Sequence, residues 1–141
     1  MRATTAIPAD IDARLSTLGA ALARECPDIE FVYLFGSLGT GSATPRSDVD
    51  LAIYVSPSAD QSLVRLETAR VAAKHLGTDA IDVVLLNTAP VALAGRVLTG
   101  RRVLLDRHPF LRHRYESSTA RLFQDFRIRE HRLLAQRYLR G

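Results

Sequence analysis

The first part of the chain shows two different periods of apolar and polar positions. Between residues 8 and 26, apolar side chains recur at intervals of three and four, which predicts an amphipathic helix that Pro27 ends. Residues 31–35 and 49–55 are instead rich in β-branched and aromatic side chains. They predict two strands, joined by a loop of glycine, serine and threonine.

Helices and strands alternate through the rest of the chain. The predicted elements are a helix over about 60–75 that stops at Gly77, a strand over 81–86, a helix over 90–98, an edge strand over 102–106 and a long helix from about 109. The apolar stripe assigned to the helix over 60–75 is Leu63, Leu66, Val71 and Leu76. This order predicts an α/β (α+β) fold, with a small mixed β-sheet flanked by helices and followed by a long C-terminal helix.

Charge divides the chain into two parts. Residues 1–95 carry 7 basic and 11 acidic side chains, whereas residues 96–141 carry 12 arginines against 4 acidic side chains. We expect one domain, 1–141, with a core of about 8–106 and a basic helical segment of about 107–141. Such a segment can contact nucleic acid, nucleotide phosphates or an acidic protein surface.

The composition also predicts a compartment. Cys26 has no second cysteine to pair with, as is usual in a reducing environment. No apolar run has the form of a signal peptide or the length of a membrane span. We therefore expect a cytoplasmic protein that makes no membrane contact.

The candidate chemistry lies between the first two predicted strands. Gly36 and Ser37 follow the first strand, ten residues intervene, and Asp48 and Asp50 enter the second strand with one residue between them. Alternation along a strand puts both carboxylates on the same face, about 6 to 7 Å apart along the backbone. They can then converge on divalent cations.

A third carboxylate occurs in the next predicted strand. Asp82 is the one acidic residue in an otherwise apolar run. An ionised carboxylate in an apolar setting is costly unless it is paired, hydrogen-bonded or metal-bound. Asp82 is therefore expected to complete a triad with Asp48 and Asp50.

These residue types suit nucleotidyl transfer. Asp48 and Asp50 would hold two Mg²⁺ ions, while Asp82, bound to one of them, would orient or deprotonate an acceptor hydroxyl. Gly36 would let the backbone approach phosphate closely, and Ser37 would contribute a hydroxyl and an N–H group. Arg46 and Ser47 are further candidates for phosphate or substrate contact.

The pattern of Gly36-Ser37, ten residues, Asp48-Val49-Asp50 and a later Asp82 resembles the DNA polymerase β-type nucleotidyltransferase superfamily. Within it, the chain looks like the minimal nucleotidyltransferases. The resemblance implies an antitoxin, paired with a small helical HEPN ribonuclease toxin as its protein partner. It further implies transfer of AMP from ATP, with Mg²⁺, to a tyrosine near the toxin's active site.

Other functions remain open at this stage. The acceptor could be a small-molecule hydroxyl, as in aminoglycoside modification, or the chain could neutralise its partner by binding alone. The arginine-rich tail leaves direct nucleic-acid binding open, although it is not favoured. In the tail, Leu111, Tyr115, Leu122, Phe126 and Leu133 form an apolar stripe that either packs on the sheet or docks a partner.

Overall fold

A computed structural model describes residues 7–40 and 48–139 of the chain. Within these ranges the elements are α1 (Ile11–Glu25), β1 (Ile29–Phe35), α2 (Gly36–Thr40), β2 (Val49–Val55), α3 (Gln61–Leu76), β3 (Ile81–Leu85), α4 (Val91–Thr99), β4 (Arg102–Asp106) and α5 (Pro109–Leu139). The predicted α/β (α+β) class and the long C-terminal helix are confirmed. None of the helices in these ranges is both long enough and apolar enough to cross a bilayer.

The four strands form one mixed sheet in the order β3-β2-β1-β4. β1 is antiparallel to β2 and to β4, while β2 and β3 are parallel. Parallel neighbours need a crossover connection, which α3 provides here. Consequently β3 and β4 lie at the two edges of the sheet.

Alternation along the strands creates two faces. Leu51 and Ile53 of β2 belong to a core formed with α1 and α3, whereas Ala52 belongs to a second core with α4 and the start of α5. Asp50 has the same parity as Ala52, so its side chain lies on the α4/α5 face. Tyr33 of β1 is fully buried on that face.

Two predictions about local structure are wrong. The segment after β1 begins with the short helix α2, although its glycines and polar residues gave no helical signal. In α3, Leu63 and Leu66 are 58% and 64% exposed rather than part of the buried stripe. The buried stripe includes Thr68, whose hydroxyl donates to the carbonyl of Val64 at 2.7 Å and so satisfies itself inside the core.

The two halves of α5 have different surroundings. Leu111 and Tyr115 pack against the core on the α4/α5 face, and Thr119 is buried. Beyond Thr119 the described side chains are exposed, apart from the half-buried Phe123. Of the two interpretations of the tail stripe, packing on the sheet holds for its first half only.

Candidate active site

The sheet brings the predicted carboxylates together at one end of β2 and β3. Asp50 of β2 is the direct partner of Asp82 in the parallel pairing with β3. Neighbouring strands lie about 4.8 Å apart, so the two residues are adjacent across the sheet. Asp48 immediately precedes β2 and is exposed. We refer to Asp48, Asp50 and Asp82 as the Asp50 cluster.

The environment of Asp82 differs from the one expected. β3 is an edge strand, and Asp82 is exposed rather than surrounded by apolar side chains. The argument that its burial demands a partner is therefore wrong, because water can solvate this carboxylate. Its position beside Asp50 is nevertheless the one that the sequence predicts.

Gly36 closes the site from the side of β1. It follows Phe35, the partner of Asp50 in the antiparallel pairing, and has a φ of 72°. A Cβ at this position would overlap the carboxylate oxygen Oδ2 of Asp50. Two features therefore favour glycine here: the backbone is left-handed, and a side chain would displace the carboxylate of Asp50.

Within the described part of the chain, the negative charge of the Asp50 cluster has no ion-pair partner. Burial raises the pKa of Asp50, and the charges of Asp82 and Asp48 raise it further. Among residues 7–40 and 48–139, no arginine, lysine or histidine forms an ion pair with any of the three carboxylates. A bound cation would relieve this repulsion.

The donor set fits magnesium, although a ready-made three-ligand site is not formed. Within the described part of the chain, no group of three or more His, Cys, Asp and Glu side chains is arranged to hold a metal ion. Mg²⁺ is commonly held by one or two carboxylates together with substrate phosphates and water. Asp48 and Asp50 supply the hard oxygen ligands that this mode of binding requires.

Three other predicted contacts cannot be placed. Arg46 and Ser47 lie outside the described residues. Ser37 is described only through its backbone, which begins α2 next to Gly36. Their assignment to phosphate or substrate contact remains a prediction.

A second polar group on the α4/α5 face was not predicted. Glu116 of α5 accepts hydrogen bonds from the Tyr33 hydroxyl at 2.6 Å, from Arg112 at 2.8 Å and from Arg101 at 3.2 Å. Arg112 also donates to Asp106 at 2.7 Å. We call these five residues the Glu116 cluster. It joins the base of α5 to β1 and β4.

Hydrogen bonds and burial favour an ionised Glu116 and a neutral Tyr33 in the Glu116 cluster. Burial alone raises the pKa of Glu116, but hydrogen bonds from Tyr33, Arg112 and Arg101 outweigh burial and lower it. For Tyr33, burial and the hydrogen bond to Glu116 both raise the pKa of the hydroxyl. The carboxylate and the neutral phenol are therefore the stable forms in the folded protein.

The comparison with protein families identifies the class of protein to which this sheet and its paired aspartates belong. The family model described as polymerase beta, nucleotidyltransferase matches residues 19–110 of this chain. That range includes β1 to β4 and every residue of the Asp50 cluster. The chain belongs to this family.

Individual relatives add to this assignment. Protein adenylyltransferase MntA of Shewanella oneidensis is 34% identical over 73 residues, which are 52% of this chain and 51% of that protein. The chain thus spans about half the length of the curated relative it matches.

Solved structures share the fold. A chain in the crystal structure of a toxin–antitoxin with AMP-PNP has a TM-score of 0.70 at 24% identity, covering 86% of this chain and 96% of that chain. A chain in the complex of tri-AMPylated Shewanella oneidensis HEPN toxin with MNT antitoxin has a TM-score of 0.66 at 22% identity, covering 89% and 96%. At these identities the likeness shows the fold.

Proposed function

We propose that this protein is an antitoxin that transfers AMP from ATP to a tyrosine of a cognate HEPN ribonuclease toxin, in a Mg²⁺-dependent reaction. The observation that carries the proposal is the pairing of Asp50 with Asp82 across β2 and β3, with Gly36 against Asp50. Support for a protein acceptor comes from the match to a protein adenylyltransferase and from the fold shared with toxin–antitoxin complexes. Since the donor would be ATP, we expect the reaction to occur in the cytoplasm.

The three carboxylates are assigned roles from their positions in the sheet. Asp50 is half-buried in β2 and Asp48 immediately precedes the same strand, so this pair is suited to hold Mg²⁺. Bound Mg²⁺ would activate the acceptor hydroxyl and neutralise the charge of the leaving pyrophosphate. Gly36 and Ser37 would contact the terminal phosphates, with Arg46 and Ser47 as further contacts.

Asp82 is suited to the acceptor side of the reaction. It is exposed on an edge strand, so a tyrosine carried by another protein can approach it. In the transfer, the tyrosine oxygen bonds to the α-phosphorus and the bond from that phosphorus to the bridging oxygen breaks, releasing pyrophosphate. Asp82 would accept the proton that the tyrosine hydroxyl loses.

The test measures transfer of label from α-labelled ATP to the cognate HEPN protein, with Mg²⁺ present. Asp48→Asn and Asp50→Asn are each expected to lower labelling by at least about 10³-fold, because they remove metal ligands. Asp12→Asn, a change at an exposed aspartate of α1, is the matched control and should label normally. Undiminished labelling by the Asp50 variant contradicts the mechanism.

The same experiment separates the alternatives. Normal neutralisation of the toxin by an Asp48/Asp50 double variant would indicate an antitoxin that acts by binding alone. Labelling of an aminoglycoside, with none of the HEPN protein, would indicate a small-molecule acceptor.

A further inference from the structure

The second half of α5 is a long exposed helix, which we call outer α5 and define as residues 120–137. Leu122 and Leu133 are 59% and 62% exposed, and Phe126, Ile128 and Leu134 are also exposed. At about 1.5 Å per residue, outer α5 is about 27 Å long. Large apolar side chains concentrated on one exposed helix are typical of an interaction surface.

The exposed stripe continues the buried side of the same helix. Leu111, Tyr115 and Thr119 are spaced by four residues and pack towards the sheet. Leu122, Phe126 and Leu133 follow at intervals of three, four and seven, which keeps them on the same side of the helix. One side of α5 therefore packs against the sheet in the first half of the helix. In the second half, no described residue covers that same side.

An open groove lies on the adjoining side of outer α5, and its lining includes none of Leu122, Phe126 and Leu133. It lies between α4 and outer α5, has a volume of about 910 Å³, and includes Leu98, Phe123 and Leu134 in its lining. Arg127, Arg132 and Glu130 also line it. The groove thus combines apolar side chains with a net positive charge, and no residue of the Asp50 cluster lines it.

The charge of outer α5 selects among occupants. It carries Arg121, Arg127, Arg129, Arg132 and Arg137 against Asp125 and Glu130. Among the described residues, none of these five arginines forms an ion pair. Two copies of so basic a helix would repel each other, whereas an acidic partner would be attracted. The exposed apolar side chains beside these arginines favour an acidic protein surface over nucleic acid as that partner.

We propose that outer α5 and the neighbouring α4 groove dock an acidic, partly apolar surface of the HEPN partner. This inference rests on the proposed function for the identity of the partner. The Glu116 cluster anchors the base of α5 to the sheet face that carries Asp50. A partner bound to outer α5 is consequently held in a defined position relative to the Asp50 cluster, so docking serves orientation as well as affinity.

The test uses the chain of 141 residues and the purified, immobilised cognate HEPN protein. Leu122→Glu/Leu133→Glu places two acidic groups on the proposed surface and is expected to weaken binding at least tenfold. Leu63→Glu/Leu66→Glu on α3 is the matched control, because those leucines are equally exposed but lie on the other side of the molecule. The control should bind as the wild type does, and circular dichroism should show that both variants fold.

A second variant tests whether the arginines of outer α5 contribute to binding. Arg129→Glu/Arg132→Glu should weaken binding at least tenfold, and the wild-type affinity should fall with added salt. Wild-type binding by the Leu122/Leu133 variant, or equal loss in the control, would overturn the proposal. It would also be overturned if outer α5 variants abolished self-association or RNA binding of the wild type while leaving HEPN binding intact.

Failure of this inference is distinct from failure of the proposed function. If the wild type binds the HEPN protein without labelling it, the proposed reaction is contradicted but the docking surface is not. If the Leu122/Leu133 variant both binds and labels normally, the docking surface is contradicted but the reaction is not.

Discussion

Two groups of carboxylates share one face of the sheet, and their surroundings differ in charge. In the Asp50 cluster, burial and two neighbouring aspartates raise the pKa of Asp50. In the Glu116 cluster, Glu116 is half-buried as well, but two arginines and a tyrosine donate to it and lower its pKa. The Glu116 cluster therefore stabilises the fold, whereas the Asp50 cluster, which has no cationic partner among the described residues, is suited to bind a cation.

Because of this difference, we expect substitutions in the Glu116 cluster to change stability and substitutions in the Asp50 cluster to change activity. Removing a charge from the Asp50 cluster relieves repulsion, so the folded state loses nothing while the candidate chemistry is lost. Removing the charge of Glu116 leaves Arg112, only 15% exposed, with a weakened partner. The comparison therefore predicts opposite consequences for similar substitutions.

After the Asp48 and Asp50 substitutions, the largest expected effect is at Gly36. Gly36→Ala should lower the labelling rate by about 10²-fold or more, because the added Cβ displaces the Asp50 carboxylate. Gly77→Ala is the matched control, since Gly77 has a φ of 74° but lies beside the flexible end of Arg14. Both variants should lose about 1 kcal/mol of unfolding free energy from backbone strain. Equal losses of labelling would show that strain alone, and not the contact with Asp50, explains the requirement.

The next effect concerns the anchor of α5. Glu116→Gln should lower the free energy of unfolding by about 2 kcal/mol, since it weakens hydrogen bonds to two arginines at a largely buried position. Glu67→Gln breaks an exposed ion pair with Arg70 and should cost less than about 0.5 kcal/mol. Urea denaturation of both variants measures the difference. Equal costs would mean that the Glu116 cluster is not the anchor inferred here.

Most of the fold was predictable from the sequence because it depends on local periods. The β-branched and aromatic runs of β1 and β2 and the helical spacing in α1 are local features that can be recognised in the sequence. The α3 stripe was misassigned because Thr68 is polar, and its buried hydroxyl bond is visible only in three dimensions. α2 was missed since its sequence, GSLGT, favours a turn as much as a helix.

The two carboxylate clusters were not equally predictable. Asp48 and Asp50 have one residue between them, and the alternation of an extended chain alone places them on one face. Asp82 was predicted from an apolar environment that it does not have, and its place beside Asp50 depends on the order of β3 and β2 in the sheet, which no local pattern reports. Tyr33 and Glu116 are 83 residues apart in the chain, and no pattern in either segment indicates that they meet.

The smallest expected effect is the pH dependence of the anchor. The pKa of Glu116 is lowered from its ordinary value of 4.5, so ionised Glu116 stabilises the fold at pH values above 4.5. This contribution is lost as the pH falls through the lowered pKa of the folded state. The difference in unfolding free energy between the wild type and Glu116→Gln should thus be constant from about pH 7 to 5 and shrink below that range. Urea titrations of both proteins at each pH measure it, and because all other carboxylates are common to the two, their titration cancels in the difference. A difference that stays constant down to about pH 3 would contradict the role of the ionised carboxylate and leave packing as the contribution of Glu116.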